Sequence, residues 1–261
     1  MLTTRYVTGA PNWIDVGTPD IDGAAAFYGA LFGWRFEPGG PEVGGYGLFR
    51  LGGRTAAGGM QTTPEQGPPS WTVYFQSPDA DATARAAEQA RGAVTVQPRD
   101  VQDLGRMAIL ADRAGVTFGL WQPGRNKGLE AVQEHGSLCW VELYTADVPA
   151  AAAFYHSVLG LETFGADFAG GAYTTFVPAG QSEDAMFGGV VPLADDPAEN
   201  EAHWLPYFEV ADTDATVARA AELGGTVRLP ATDVPSVGRL AKLADPYGAR
   251  FAVIHSAPRQ G

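Results

Sequence analysis

Two short segments place an indole and a carboxylate two residues apart: Trp13-Ile14-Asp15 and Trp140-Val141-Glu142. In an extended chain, residues i and i+2 share a face. Each pair can therefore present a flat aromatic surface beside a proton-exchanging group. A Trp face stacks on planar ligands. A carboxylate in apolar surroundings has a raised pKa and can move protons. The bland alternative is packing, with the carboxylate bonded to backbone or to an arginine such as Arg106 or Arg239. Other reactive residue types lack an arrangement suited to chemistry. The four histidines, His135, His156, His203 and His255, fall in an expected linker, a helix, a strand start and the C-terminal end, without ligand spacing. The single cysteine, Cys139, excludes an intrachain disulfide and a Cys-based zinc site. Beside Trp140 it reads as a small buried hydrophobe. No Ser/His/Asp set can be placed on one face.

The elements that must position these residues are themselves repeated. Trp13-Ile14-Asp15-Val16 leads to Asp20 and Ala26-Phe27-Tyr28, and Trp140-Val141-Glu142-Leu143 leads to Asp147 and Ala153-Phe154-Tyr155, displaced by 127 positions. Gly105-Arg106-Met107-Ala108-Ile109-Leu110-Ala111-Asp112 recurs as Gly238-Arg239-Leu240-Ala241-Lys242-Leu243-Ala244-Asp245, displaced by 133. Two matches in the same order indicate a duplicated segment of about 130 residues. Within each half a fainter repeat appears, a strand running into an Asp and then a helix, at Asp20, Asp79, Asp147 and Asp212. Asp is a good N-cap because its carboxylate accepts orphan N–H groups of the first turn.

Periodicity predicts a strand over 12–16, a helix over 21–32 stopped by Gly33, and strands over 34–37, 46–51 and 55–61. The second unit reads as strand 71–76, helix 80–90 and strands 94–98, 106–111 and 117–122. Two more such units start at Cys139 and Trp204. The pairs Phe27-Tyr28 and Phe154-Tyr155 read as core packing, and Arg106 and Arg239 as structural ion pairs. Gly39-Gly40, Gly44-Gly45 and Gly170-Gly171 read as turns, because they lack the strand-to-helix context of a phosphate loop.

Composition excludes several function classes. The 261 residues are 45% hydrophobic and 18% charged, enough for packed cores. The net charge of −13 disfavours nucleic acid and anionic membrane. The N-terminal residues lack the apolar stretch of a secretory signal, and no apolar run is long enough to span a bilayer. A cytoplasmic protein is expected. The 34 glycines and 19 prolines suit many short strands joined by turns.

The strand–Asp–helix segments with Phe-Tyr, followed by Gly-Arg-x-Ala-x-Leu-Ala-Asp-x-x-Gly-x-x-Phe, resemble the vicinal oxygen chelate superfamily of glyoxalases, bleomycin resistance proteins and extradiol dioxygenases. The resemblance covers nearly the whole chain. It implies an α+β fold of four βαβββ units, paired into two glyoxalase-like domains with cup-shaped mixed sheets. The expected division is residues 1–124 and 137–261, with a linker over 125–136.

Members of this superfamily usually hold a divalent ion on first and last strands. Here those positions fall on Trp13, Thr72, Trp140, Leu205, Gly119 and Ala252, and within 57–60 and 187–190, which offer no ligand set. Gln61 and His203 lie only one or two residues away. No metal and no other cofactor is expected. If those positions face inward, so do Asp15, Tyr74, Glu142 and Tyr207, and then Gly17, Gln76, Tyr144 and Glu209. The resemblance thus assigns acid–base candidates Asp15, Glu142, Tyr74 and Tyr207. It assigns a ligand-contacting set of Trp13, Trp140, Gln76, Glu209, Trp121 and Met60.

The implied function is metal-independent binding of a small planar or aromatic metabolite, of a sequestering or resistance type in secondary metabolism. The alternative is a metal-independent lyase, isomerase, cyclase or oxygenase-like enzyme on such a metabolite. A metal-dependent glyoxalase or dioxygenase is disfavoured by the missing ligands. The expected partner is a small molecule, with the chain a monomer or homodimer.

Overall fold

The computed structural model describes residues 2–40, 43–168 and 171–258. Met1 and residues 41–42, 169–170 and 259–261 lie outside the described residues. With them fall Gly170 of the Gly170-Gly171 turn and the outer limits, 1 and 261, set for the two domains. The first half folds as β1 (Pro11–Thr18), α1 (Ile21–Phe32), β2 (Arg35–Pro38), β3 (Gly47–Leu51), β4 (Arg54–Gln61), β5 (Ser70–Gln76), α2 (Ala80–Gln89), β6 (Ala93–Val101), β7 (Gly105–Ala111) and β8 (Thr117–Pro123). The second follows as β9 (Leu138–Thr145), α3 (Val148–Leu159), β10 (Glu162–Phe168), β11 (Gly171–Val177), β12 (Gly188–Pro192), β13 (His203–Glu209), α4 (Thr213–Glu222), β14 (Thr226–Val234), β15 (Gly238–Ala244) and β16 (Arg250–Ser256). The βαβββ order therefore occurs four times.

Each helix starts where an Asp caps it. Asp20 accepts from Gly23 N at 3.0 Å, Asp79 from Ala82 N at 2.9 Å, Asp147 from Ala150 N and Asp212 from Ala215 N at 3.0 Å. Gly33 and Gly160 end α1 and α3 at φ 75° and 69°, a left-handed conformation that a Cβ disfavours. Strand β6 runs past Pro98, where periodicity had ended it. It lies at a sheet edge and its pairing with β7 is bulged, so a residue without an N–H is tolerated.

Each half closes into one eight-stranded mixed sheet, ordered β2-β3-β4-β1-β5-β8-β7-β6 and β10-β11-β12-β9-β13-β16-β15-β14. The antiparallel pairs β1/β5 and β9/β13 join the two units at the centre, with Trp13 opposite Tyr74 and Trp140 opposite Tyr207. Each central pair carries a bulge, at Asn12 and at Cys139.

The helix-bearing faces of the two sheets pack against each other, so one aromatic core serves both halves. Phe32 lies 4.9 Å from Phe208 and Phe75 lies 5.1 Å from Trp204, between ring centroids. The Phe-Tyr pairs belong to this seam. Tyr28 Oη donates to Asp245 Oδ2 at 3.0 Å and accepts from Trp71 Nε1 at 3.0 Å. Tyr155 repeats this with Asp112 at 3.4 Å and Trp204 at 2.9 Å. The two cups therefore face away from the shared core. Residues 124–137 cross between the sheets and are docked, with Leu129 N bonded to Asn12 O and Glu130 N to Thr55 O. No described helix is long and apolar enough to cross a membrane.

Candidate functional site

In the first cup, Asp15 Oδ2 accepts from Tyr74 Oη at 2.9 Å and from Tyr46 Oη at 3.0 Å. Trp13 Nε1 donates to Tyr46 Oη at 2.7 Å. In the second, Glu142 accepts from Tyr173, Tyr144 and Tyr207 at 2.7, 2.7 and 2.5 Å, and Trp140 Nε1 donates to Tyr173 Oη at 3.0 Å. The same indole–phenol–carboxylate chain is thus built twice, from duplicated positions. Trp13, Asp15 and Tyr74 come together as expected, as do Trp140, Glu142 and Tyr207.

The tyrosines Tyr46 and Tyr173, on or beside the third strand of each domain, were not identified from sequence. Their signal was their own displacement by 127 positions. Glycine makes room for both. Gly58 is paired with Asp15 and Gly189 with Glu142, and a Cβ on either would fall inside the phenol of Tyr46 or Tyr173. Both glycines lie within the ranges where the superfamily places a ligand of units one and three. Gly119 likewise lies against the ring of Tyr74.

The other expected contacts divide. Trp121 stacks on Trp13, with centroids 6.3 Å apart, and joins the first cup. Met60, half-buried, is paired with Gly17 at the end of β4. Gln76 lies at the end of β5 opposite Trp121, and its side-chain oxygen is buried without a hydrogen-bond partner among the described residues. Glu209 serves a strand end, accepting from Ser256 N at 3.0 Å and Ser256 Oγ at 2.5 Å. Arg106 and Arg239 do not touch the carboxylates of the cups. Arg106 pairs with Asp81 and Asp100, and Arg239 with Asp214 and Asp233.

The second cup is more elaborate than the first. Lys242, buried at 3% exposure, bonds Tyr144 Oη and Asp196 Oδ2. Tyr144 also stacks on His203, centroids 5.2 Å apart. Asp196 belongs to the segment after β12. That segment is fastened again at Glu199, whose fully buried carboxylate faces Arg228 and Arg250 at 3.3 Å. Neither Lys242 nor Asp196 was singled out from sequence. Lys242 had a signal, as a charge in a strand whose counterpart in the first half carries Ile109.

Burial raises the Asp15 carboxyl to about 6, although Tyr74 and Tyr46 act in the opposite direction. The thiol of Cys139 is also pushed well up by burial, as expected of an inert buried residue. The phenols of Tyr74, Tyr46, Tyr207 and Tyr173 are raised by burial and then by the neighbouring carboxylate, so they act as donors.

Neither cup fits a divalent ion. Asp15 stands among phenols. Glu142 shares Tyr144 with an ammonium group that would repel a cation. No group of three His, Cys, Asp or Glu donors converges in either cup among the described residues. One such group does form elsewhere. His135, Glu209 and His255 place donor atoms within 4.8 Å of one another, so the apparent scatter of histidines in sequence does not hold in space. Two shallow hollows, lined among others by Arg91, Arg113 and Phe154 and by Thr145, Asp147 and Ala150, lie on the seam and include no cup residue.

Four βαβββ units paired into two eight-stranded mixed sheets define a glyoxalase-type protein, and the chain belongs to the glyoxalase/bleomycin resistance protein/dioxygenase superfamily. Residues 137–253 match that superfamily and residues 13–121 match the glyoxalase-like domain. The chain is 39% identical over 264 residues to CFP32 of Mycobacterium tuberculosis, a protein provisionally named a glyoxylase, covering 98% of each. It is 40% identical over 266 residues to the anthracycline biosynthesis protein DauV of Streptomyces sp. strain C5, covering 96% of this chain and 94% of that one. In fold it is similar to the 2,3-dioxygenase LapB of Pseudomonas sp. KL28, with TM-score 0.62, 14% identity, and coverage of 98% of this chain and 94% of that one.

Proposed function

We propose that the second cup binds a planar aromatic metabolite, without a metal ion, in a cytoplasmic protein of secondary metabolism. The observation that carries this reading is the set of three phenols on Glu142 beside the half-buried face of Trp140. Fixed hydroxyls on a carboxylate can exchange hydrogen bonds with the phenol and quinone oxygens of a flat ring system, and an indole face supplies stacking. Two independent fastenings hold the segment after β12 near this cup, which favours it over the first. Similarity to a protein named for anthracycline biosynthesis supports a polycyclic ligand.

A second reading is acid–base catalysis on the same class of molecule. It is favoured by Asp15, whose pKa near 6 suits proton transfer at neutral pH, with a phenol on either side.

Quenching of tryptophan fluorescence by 1,4-dihydroxyanthraquinone tests binding. The expected result is saturable binding that Trp140→Ala weakens by about tenfold or more, in line with a lost stacking contact of roughly 1.5 kcal/mol, while Trp13→Ala leaves it unchanged. Equal affinity in wild type and Trp140→Ala would overturn the assignment. If the protein turns its ligand over, Asp15→Asn and Glu142→Gln should retain affinity and lose turnover. Turnover surviving both changes would remove these carboxylates as catalysts.

A further inference from the structure

Away from both cup carboxylates, we infer that His135, Glu209 and His255 form a binding site for a borderline divalent cation of the zinc type. This inference does not depend on the ligand proposed for the cup. The three residues are far apart in sequence, and the fold brings them together where the linker meets the ends of β13 and β16. Their donor atoms lie within 4.8 Å of one another. In a tetrahedral site with metal–ligand distances near 2.0–2.1 Å, ligand atoms stand about 3.4 Å apart. Small rotations of exposed side chains close that difference.

Two of the three side chains, those of His255 and Glu209, are held by contacts outside the trio. His255 Nδ1 lies 3.1 Å from the Val210 carbonyl oxygen, which can only accept, so Nδ1 carries the hydrogen and Nε2 keeps its lone pair. Metal-bound imidazoles are commonly oriented this way through their other nitrogen. Glu209 is oriented by the backbone N–H and hydroxyl of Ser256 and also faces the Cys139 thiol, and a carboxylate has about four lone-pair sites, so one is left for an ion. The backbone beside His135 is fixed from two directions. Gly136 N donates to Glu209 O at 2.7 Å, and Gly136 O accepts from Trp34 Nε1 at 2.6 Å.

Two imidazoles and one carboxylate favour zinc or cobalt over magnesium or calcium, which prefer all-oxygen shells. His135 and His255 are exposed and Glu209 half-buried, so the remaining coordination position opens to solvent. Glu209 stands four residues beyond Leu205, the strand partner of Glu142. That is about 13 Å along β13, too far for an ion there to touch a group bound at Glu142. The ion would staple the linker to two strands of the second sheet.

The test is a zinc titration of tag-free, chelator-treated full-length protein against a chromophoric chelator, with cobalt absorption as a second readout. One equivalent of zinc is expected to bind and raise Tm. His135→Ala alters only an exposed linker side chain and should lower affinity by at least about tenfold and abolish the Tm shift. His255→Ala should do the same, and His156→Ala should change neither. Unchanged affinity in His135→Ala, or the absence of a one-equivalent site in wild type, would overturn the inference.

Discussion

Tyr28 and Asp245 are 217 positions apart in sequence and share a 3.0 Å hydrogen bond at the seam between the two sheets. The Phe-Tyr motif of the first unit thus meets the Leu-Ala-Asp turn of the fourth, and Tyr155 meets Asp112 in the reciprocal way. Tyr28→Phe removes this donor and leaves the buried Trp71 indole N–H without its acceptor. The expected loss is roughly 1–3 kcal/mol in urea unfolding. Tyr155→Phe should cost less, because its bond to Asp112 is 3.4 Å long. Unfolding curves of both variants superimposed on wild type would show that the seam is not held by these bonds.

Asp15 makes stability depend on pH. Its carboxyl titrates near 6 in the fold against an ordinary value of 3.8. Folding therefore favours the protonated form. Its contribution is complete below about pH 3.8 and is lost as pH rises through about 6. Over that window wild type should lose roughly 3 kcal/mol relative to Asp15→Asn, which keeps an acceptor oxygen for both phenols. Parallel urea curves for the two proteins at pH 4, 5, 6 and 7 measure it. A constant gap between them would mean that Asp15 titrates normally.

Lys242 and Asp196 form a pair in which the cation is almost wholly buried. Lys242→Met leaves Asp196 facing a site built for a charge, with an expected loss of about 3 kcal/mol. The double change Lys242→Met/Asp196→Leu should be less destabilised than the single one, as a double-mutant cycle would read. Additive losses would argue against coupling.

Gly189 lets Tyr173 lie across the sheet to reach Glu142. Gly189→Ala should displace the phenol, deprive Trp140 of its acceptor and alter the near-UV circular dichroism, at a cost of about 1–3 kcal/mol. Gly58→Ala should act on Tyr46 and Trp13 in the same way. An unaltered near-UV spectrum in both variants would contradict the close packing.

The duplication, the four capping aspartates and the βαβββ order were all legible in the sequence, because local rules set them. A carboxylate three residues before a helical N–H caps it wherever the chain goes, and alternation along β1 and β9 fixes which side chains share a face. Trp13 with Asp15, and Trp140 with Glu142, followed from that periodicity alone. The phenols of Tyr46 and Tyr173, the ammonium of Lys242 and the trio His135, Glu209 and His255 arrive from other strands and a linker. Their meeting depends on strand order, on glycines that admit a ring, and on how two sheets pack back to back. Those are long-range choices, made when many weak contacts are satisfied together, and no short window of residues encodes them.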